Sequence, residues 1–321
     1  MRVVVTGGAG FIGSHLCEAL LAEGHEVTAV DNFLTGSRAN IAHLEGEPRF
    51  SLVEHDITMP FGGEVEARLG KVDALFHLAS PASPADFSKI PLEIAIINSQ
   101  GTHNVLELAR RHGAKYLLTS TSEAYGDPLV HPQTEDYRGN VSTTGLRACY
   151  DEGKRFAEAI TSVYVREYGV DGRIVRIFNT YGPRMNPEDG RSVPNFITQA
   201  LRGKPLTVYG EGKQTRSYCY VSDMVAGLMA VMAAPAEKAK GVIFNVGNPD
   251  EREILAFAQI IRELCGSDSP IEYQVMPQDD PVRRCPDITR IKTRLGWEPR
   301  VPLEEGLPKT IEWFRSVIGD M

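Results

Sequence analysis

The first thirteen residues, MRVVVTGGAGFIG, set the tightest limit on what this chain can become. The β-branched run at 3–6 reads as a strand, and glycines break it at once. They group as Gly8, Gly10 and Gly13 or as Gly7, Gly10 and Gly13, with Phe11 and Ile12 between the last two. Residues 12–23 then show helical spacing, with Ile12, Leu16, Ala19 and Leu20 on one face. Strand, glycine turn and helix in that order bring backbone close to a pyrophosphate and leave it on the helix N-terminus. Asp31 closes the next apolar run, roughly twenty residues past the glycines, where an acid meets the ribose of a dinucleotide. A carboxylate there bonds both ribose hydroxyls and repels a 2′-phosphate. Asn32 follows and no Arg is adjacent, so the pattern selects NAD over NADP.

The same rhythm continues. Further strands are expected at 26–30, 49–54, 73–77, 116–119 and 173–178, with helices at 98–112 and 146–168. Such alternation specifies an α/β fold, a doubly wound Rossmann-type parallel sheet with helices on both faces. After Asn179 the rhythm is lost. Prolines punctuate shorter elements, with helices expected at about 193–202, 222–233, 253–265 and 304–318. The 321 residues suit two domains. Residues 1–180 are read as the NAD-binding domain and 181–321 as a smaller, mixed α/β substrate-binding lobe.

Composition narrows the partners. Net charge is −8, from 34 Lys and Arg against 42 Asp and Glu, which excludes sequence-independent nucleic-acid binding by dense cations. The five cysteines are odd in number and scattered, without C-x-x-C, so neither a disulfide framework nor a thiolate metal site is expected. The eight histidines show no H-x-x-x-H, and no metal is expected. No apolar run reaches membrane-spanning length, and the first residues lack a signal-peptide pattern. The expectation is a cytoplasmic protein without a membrane partner.

Two segments carry chemistry. Tyr150 and Lys154 are four apart inside the expected long helix and share a face. A phenol is a poor base at neutral pH, and a neighbouring ammonium brings its pKa towards the working range. Thr121, Ser122 and Glu123 follow the fifth strand, whose carboxyl end is where open α/β sheets place ligands. Their hydroxyls can bond a sugar, and Glu123 can act as a base or hold a water. His77 and Trp297 read as packing residues, Cys149 as a small buried hydrophobe, and Asp279-Asp280 as a solvated loop.

Taken together, Gly7/Gly10/Gly13, Asp31, Asp56-Ile57, His77-Leu78-Ala79, Asn98, STSEAYG and Tyr150-x-x-x-Lys154 resemble the extended short-chain dehydrogenase/reductases that act on nucleotide sugars. The resemblance spans nearly the whole chain. Within that family, SPASP (80–84), ACYDEGKR (148–155), RIFNTYGPRM (176–185), DGR (189–191), LTVYGEGKQTRSYCYVSD (206–223) and RRCPDI…LGWEP (283–299) are similar to the UDP-glucuronate decarboxylases. The 4,6-dehydratases carry Asp-Glu where this chain has Ser122-Glu123.

The resemblance implies a tightly bound NAD held by the glycine turn, Asp31, Asn32, Gly36, Asp56, Ile57, Leu78, Ala79, Asn98, Tyr150, Lys154 and Thr180. It implies catalysis by Thr121, Glu123, Tyr150, Lys154 and Arg284. It also implies UDP-sugar contacts from Ser122, Asn179, Arg191, Asn195, Tyr209, Gln214, Arg216 and Arg284. Arg suits such a substrate, because phosphates and a carboxylate are bound bidentately. A homodimer packed through helices of the first lobe, and a chain segment near residue 220 that returns to that lobe, follow from the same resemblance. A UDP-sugar 4-epimerase, an NDP-sugar 4,6-dehydratase and a non-catalytic NAD-sensing protein are the competing readings.

Overall fold

The computed structural model describes residues 1–276 and 281–319; Asp279-Asp280, read above as a solvated loop, and Pro277 lie outside the described residues. The strands are β1 Arg2–Thr6, β2 Glu26–Asp31, β3 Phe50–Glu54, β4 Ala74–His77, β5 Lys115–Thr121, β6 Gly172–Ile177, β7 Thr180–Tyr181, β8 Leu206–Tyr209, β9 Thr215–Ser217, β10 Cys219–Tyr220, β11 Ile243–Val246, β12 Glu251–Glu253, β13 Ile271–Gln274 and β14 Arg283–Arg284. The helices are α1 Phe11–Ala22, α2 Gly63–Leu69, α3 Pro91–Ile96, α4 Thr102–His112, α5 Ala148–Glu167, α6 Ser192–Leu201, α7 Val221–Ala233, α8 Ala236–Ala239, α9 Ile254–Cys265, α10 Thr289–Leu295 and α11 Leu303–Gly319.

Seven strands form one sheet in the order β11-β6-β5-β4-β1-β2-β3, and every pairing in it is parallel. A parallel sheet is covered on both faces, so its central strands need apolar side chains on both sides. β1, β4 and β5 meet that need with Val3–Val5, Ala74–Phe76 and Tyr116–Leu118, all buried. Two apolar clusters result, one on each face. The strand order reverses beside β1, and a crevice opens there at the carboxyl ends of the strands. β11 joins the sheet beside β6, so the chain re-enters it from beyond residue 240. α7 packs against α1 and β6 on one face.

The remaining segments gather beyond the carboxyl ends of the sheet. β8 pairs with β13, and β12, β9 and β14 form a three-stranded ribbon. α6 packs on α9, and α11 on both. Trp297 is buried, and a Cβ at Gly227 would come within 3.1 Å of its ring, so it wedges against α7. His77 is buried between the hydroxyls of Thr6 and Thr102, at 2.8 and 3.2 Å.

Candidate functional site

The turn after β1 is built for a phosphate. Gly7 adopts φ +72°, a left-handed conformation that glycine enters without strain. A Cβ on Gly13 would lie 2.0 Å from the Gly7 carbonyl, so only glycine lets α1 start this close to the turn. No side chain caps α1 and no acid stands in its first turn. Its N–H groups and positive dipole end are therefore left for an anion. At the end of β2, Asp31 accepts from Ala9 N at 2.9 Å and Phe33 N at 2.8 Å, and burial raises its pKa against those bonds. A Cβ on Gly36 would come within 2.9 Å of Asp31, so that glycine keeps the carboxylate accessible. Asn32 donates to Asp56 at 3.2 Å, and Asn104 fixes the next turn by donating to Ile57 O at 2.9 Å. Asp31, Asn32, Gly36, Asp56, Ile57, Leu78 and Ala79 line one cavity, continuous through Gly7 and Gly10 with a larger cleft of about 940 Å³. These residues fit a dinucleotide: a glycine cradle, an uncapped helix end and an acid at the ribose position.

The larger cleft collects the rest. Phe11, Ile12, Gly13, Thr121, Ser122, Glu123, Tyr150, Lys154, Asn179, Thr180, Arg191, Asn195, Tyr209, Gln214, Arg216 and Arg284 all line it. Asn98 does not line either cavity. It is buried against Gly153 of α5, and its amide donates to Ile94 O at 2.9 Å. Thr180 turns its hydroxyl to Phe178 O at 2.9 Å. Asn195 and Gln214 donate to Gly190 O and Tyr209 O, both at 2.9 Å, and so shape loops at the cleft wall. Arg191 is paired twice with Asp189, at 2.5 and 2.7 Å.

α5 carries Tyr150 and Lys154 on its inner face, both buried. Lys154 donates to Thr119 O at 3.0 Å, and its Nζ lies 5.9 Å from the centre of the Tyr150 ring. The electrostatics differ from the simple reading of a lysine lowering a tyrosine. Burial pushes Tyr150 up to about 12, with a hydrogen bond to Thr121 working the other way. Burial also pulls Lys154 down to about 7, against the attraction of Glu158. Two groups in one dry pocket both favour their neutral forms until charge is brought to them.

A short 3-10 turn, Ser122–Tyr125, swings Glu123 into the cleft, with its N–H donating to Thr121 Oγ1 at 3.2 Å. Gly126 ends that turn at φ +63°, where a Cβ would collide with Asn140 O. Arg284, 3 % exposed, bonds the Glu123 carboxylate and donates to Gly126 O at 3.2 Å. Its Nε is buried without a partner among the described residues.

Several functional residues had no sequence motif. Arg147 donates to Glu123 at 2.6 Å, and Phe87 stacks on Tyr150 at 5.1 Å. Glu158 accepts from Ser120 at 2.5 Å and from Arg176 at 2.7 and 2.8 Å, one turn beyond Lys154. The signal that could have found Glu158 is its spacing from Lys154 on a single helix; Arg147 precedes that helix and carries no such signal.

Comparison with known proteins agrees with this geometry. Residues 3–247 match the family model for the NAD dependent epimerase/dehydratase family. A relative from Xenopus tropicalis, UDP-glucuronic acid decarboxylase 1, is 52% identical over 98% of this chain and 72% of its own length. Among solved structures, UDP-glucose 4-epimerase from Thermotoga maritima with UDP-glucose is 31% identical with TM-score 0.90, covering 99% of this chain and 100% of the other. UDP-glucuronic acid 4-epimerase from Bacillus cereus, in complex with UDP-glucuronic acid and NAD, is 28% identical with TM-score 0.88 over the same shares of the two chains, 99% and 100%.

Proposed function

The chain belongs to the NAD dependent epimerase/dehydratase family, and we propose that within it the chain converts UDP-glucuronate to UDP-xylose and CO2. The observation that carries this reading is Arg284. Its guanidinium is buried at the cleft wall beside Glu123, which suits a sugar bearing a carboxylate. A neutral sugar offers that cation no charge-assisted partner.

The glycine turn and the α1 N-terminus would hold the NAD pyrophosphate, Asp31 a ribose, and Lys154 and Thr180 the nicotinamide end. When bound, NAD supplies a hydride acceptor that later returns the hydride, and its oxidised ring carries a positive charge. Tyr150 takes the proton from the C4 hydroxyl, which Thr121 also bonds. With C4 a ketone, the sugar carboxylate is β to a carbonyl. The C5–C6 bond breaks, CO2 leaves, and its electron pair becomes an enolate whose oxygen the Tyr150 hydroxyl stabilises. C5 then gains a proton from a water that the Glu123 carboxylate positions, the hydroxide left behind being neutralised by solvent, and Tyr150 returns its proton to O4. The overall reaction consumes no redox equivalent.

Two further parts of the reading concern context. Leu92 and Ile96 on α3 and Phe156 and Val163 on α5 are exposed apolar side chains on two packed helices, which supports a homodimer through that face. Five free cysteines support a reducing compartment, the cytoplasm. Incubating the NAD-loaded protein with UDP-glucuronate and following the sugar by NMR tests the reaction. Loss of C6 as CO2 with retained C4 configuration is the expected product pattern. An intact C6 with inverted C4 makes the chain an epimerase, and a 4-keto-6-deoxy product from a neutral NDP-glucose makes it a dehydratase.

A further inference from the structure

The sugar side of the cleft holds one carboxylate between two guanidiniums. Glu123, with 14% of its side chain exposed, is bonded by Arg284 from β14 and by Arg147 from the residue that precedes α5, at 2.6 Å. One guanidinium would suffice to pair it. The second matters when substrate arrives. A sugar carboxylate that engages Arg284 competes with Glu123 for the same cation, and a buried carboxylate stripped of its counter-charge takes up a proton.

Arg147 is fixed on several sides. Its Nε lies 3.8 Å from Asp151, one turn along α5. Its Cζ sits 5.5 Å above the Phe87 ring, which stacks on Tyr150 at 5.1 Å. The same guanidinium therefore ties Glu123 to the wall that carries the catalytic phenol, and to the same helix. Arg284 reaches Glu123 from 161 positions away and on a separate ribbon.

We infer that Arg147 is a positioning residue: it keeps the Glu123 carboxylate ionised and aimed at the sugar while Arg284 is engaged by the substrate carboxylate. The groups that face Glu123 are Arg284 from β14, Arg147, Tyr150 and Asp151 from the start of α5, and Arg191 from the segment before α6. Their balance agrees with the geometry. Burial opposes the Glu123 charge, yet Arg284 and then Arg147 overcome it and hold the carboxyl well below its usual range. Asp151 moves the other way, raised by burial and by the Glu123 charge, with its Oδ1 lacking a partner among the described residues. Arg284 and Arg147 thus both bear on Glu123, and a substrate carboxylate that engages Arg284 leaves Arg147 as its bonded counter-charge.

The inference rests on the decarboxylase reading, and its test separates the two. NAD-loaded full-length protein is compared with Arg147→Met and Arg147→Lys. In CO2 release from UDP-glucuronate, Arg147→Met is expected to lose about 10²-fold in kcat with KM changed less than about threefold, and the acid limb of its kcat profile moves up by about one pH unit or more. Arg147→Lys, which keeps a cation at the same place and guards against misfolding of the Met variant, restores part of both. A raised KM with kcat and acid limb unmoved overturns the inference.

The second readout is independent of turnover. The 4-deoxy-4-fluoro analogue of UDP-glucuronate keeps the carboxylate but has no C4 hydroxyl to oxidise. With it bound, the ¹³C carboxyl signal of Glu123, assigned by its loss in Glu123→Gln, stays ionised from pH 5 to 8 in the unmodified protein and titrates within that window in Arg147→Met. A signal that stays ionised in Arg147→Met overturns the inference. Failure of the unmodified protein to release CO2 overturns the decarboxylase reading and leaves this titration to decide the role of Arg147.

Discussion

The two ends of the cleft are assembled in different ways. The cofactor end is continuous chain: β1, the glycine turn, α1 and β2 follow one another, and Asp31 at the end of β2 accepts from Ala9 N in the turn. The sugar end is a meeting of strangers. Glu123 follows β5, Arg147 immediately precedes α5, Tyr150 stands on α5, Arg191 precedes α6, and Arg284 arrives on the two-residue strand β14. The first end depends on backbone shape, where a methyl group is enough to do damage. The second depends on which charges face each other, where shape tolerates change but charge does not. Each prediction below sets one kind of dependence against the other.

Gly13→Ala should have the largest effect on cofactor binding. Its Cβ would lie 2.0 Å from the Gly7 carbonyl, and the opposing atom is backbone with no rotamer to escape into. NAD affinity is expected to fall by more than about 10²-fold, from misplacement of the helix end that receives the pyrophosphate. Calorimetric titration with NAD checks it, and affinity within about threefold of the unmodified protein would break the claim that this end is governed by shape. Tyr150→Phe comes next and inverts the pattern. The ring keeps its stack on Phe87 at 5.1 Å, so NAD affinity should hold, while kcat falls about 10³-fold if Tyr150 is the proton acceptor at O4, as proposed.

How much of this was legible follows the same division. The glycine turn, Asp31 and the strand–helix rhythm lie close together in sequence, and local spacing carries their geometry. β1 to β6 and the helices α1, α4 and α5 accordingly appear near the expected positions. Arg284 was legible only through a resemblance, because β14 is too short to show a pattern and its partner Glu123 is 161 positions away. Arg147 was not legible at all. It stands three residues before Tyr150 as one more arginine, and its meaning depends on the direction in which the start of α5 points its side chain, which residue spacing does not encode. The electrostatic state was equally hidden. The motif Tyr150-x-x-x-Lys154 reports proximity, whereas the pKa directions come from how dry the pocket is.

Arg284→Met is the next prediction in size. The change leaves Glu123 still held by Arg147, so the fold of the turn after β5 should survive. Removing a charge-assisted bidentate contact costs roughly 1.5–3 kcal/mol, which is about 10- to 100-fold in kcat/KM for UDP-glucuronate. Binding of UDP-xylose, which lacks the carboxylate, should change much less. Equal losses for both ligands would mean that Arg284 serves the nucleotide, and the contrast between the two ends of the cleft would shift accordingly.

The last effect is on stability rather than turnover, and it lies where the two ends meet. Lys154 is held at about 7 in the folded chain by burial, against an ordinary lysine value of 10.5. Below pH 7 both folded and unfolded chains carry the proton, and the folded chain bears the full cost of a buried charge. Between pH 7 and about 10.5 the unfolded chain holds more protons than the folded one, so stability rises with pH across that window. Lys154→Met has no such charge to bury. In the protein free of NAD it should melt above the unmodified chain at pH 6.5, with the gap narrowing steadily towards pH 9.5. A gap that is constant or widens with pH would show that Glu158 and Thr119 solvate the ammonium well enough to keep it charged. The catalytic cost of the same variant then measures what the buried charge is for under the proposed reading, in which Lys154 holds the nicotinamide end of the cofactor and its charge, costly at rest, gains a partner only when the cofactor is bound.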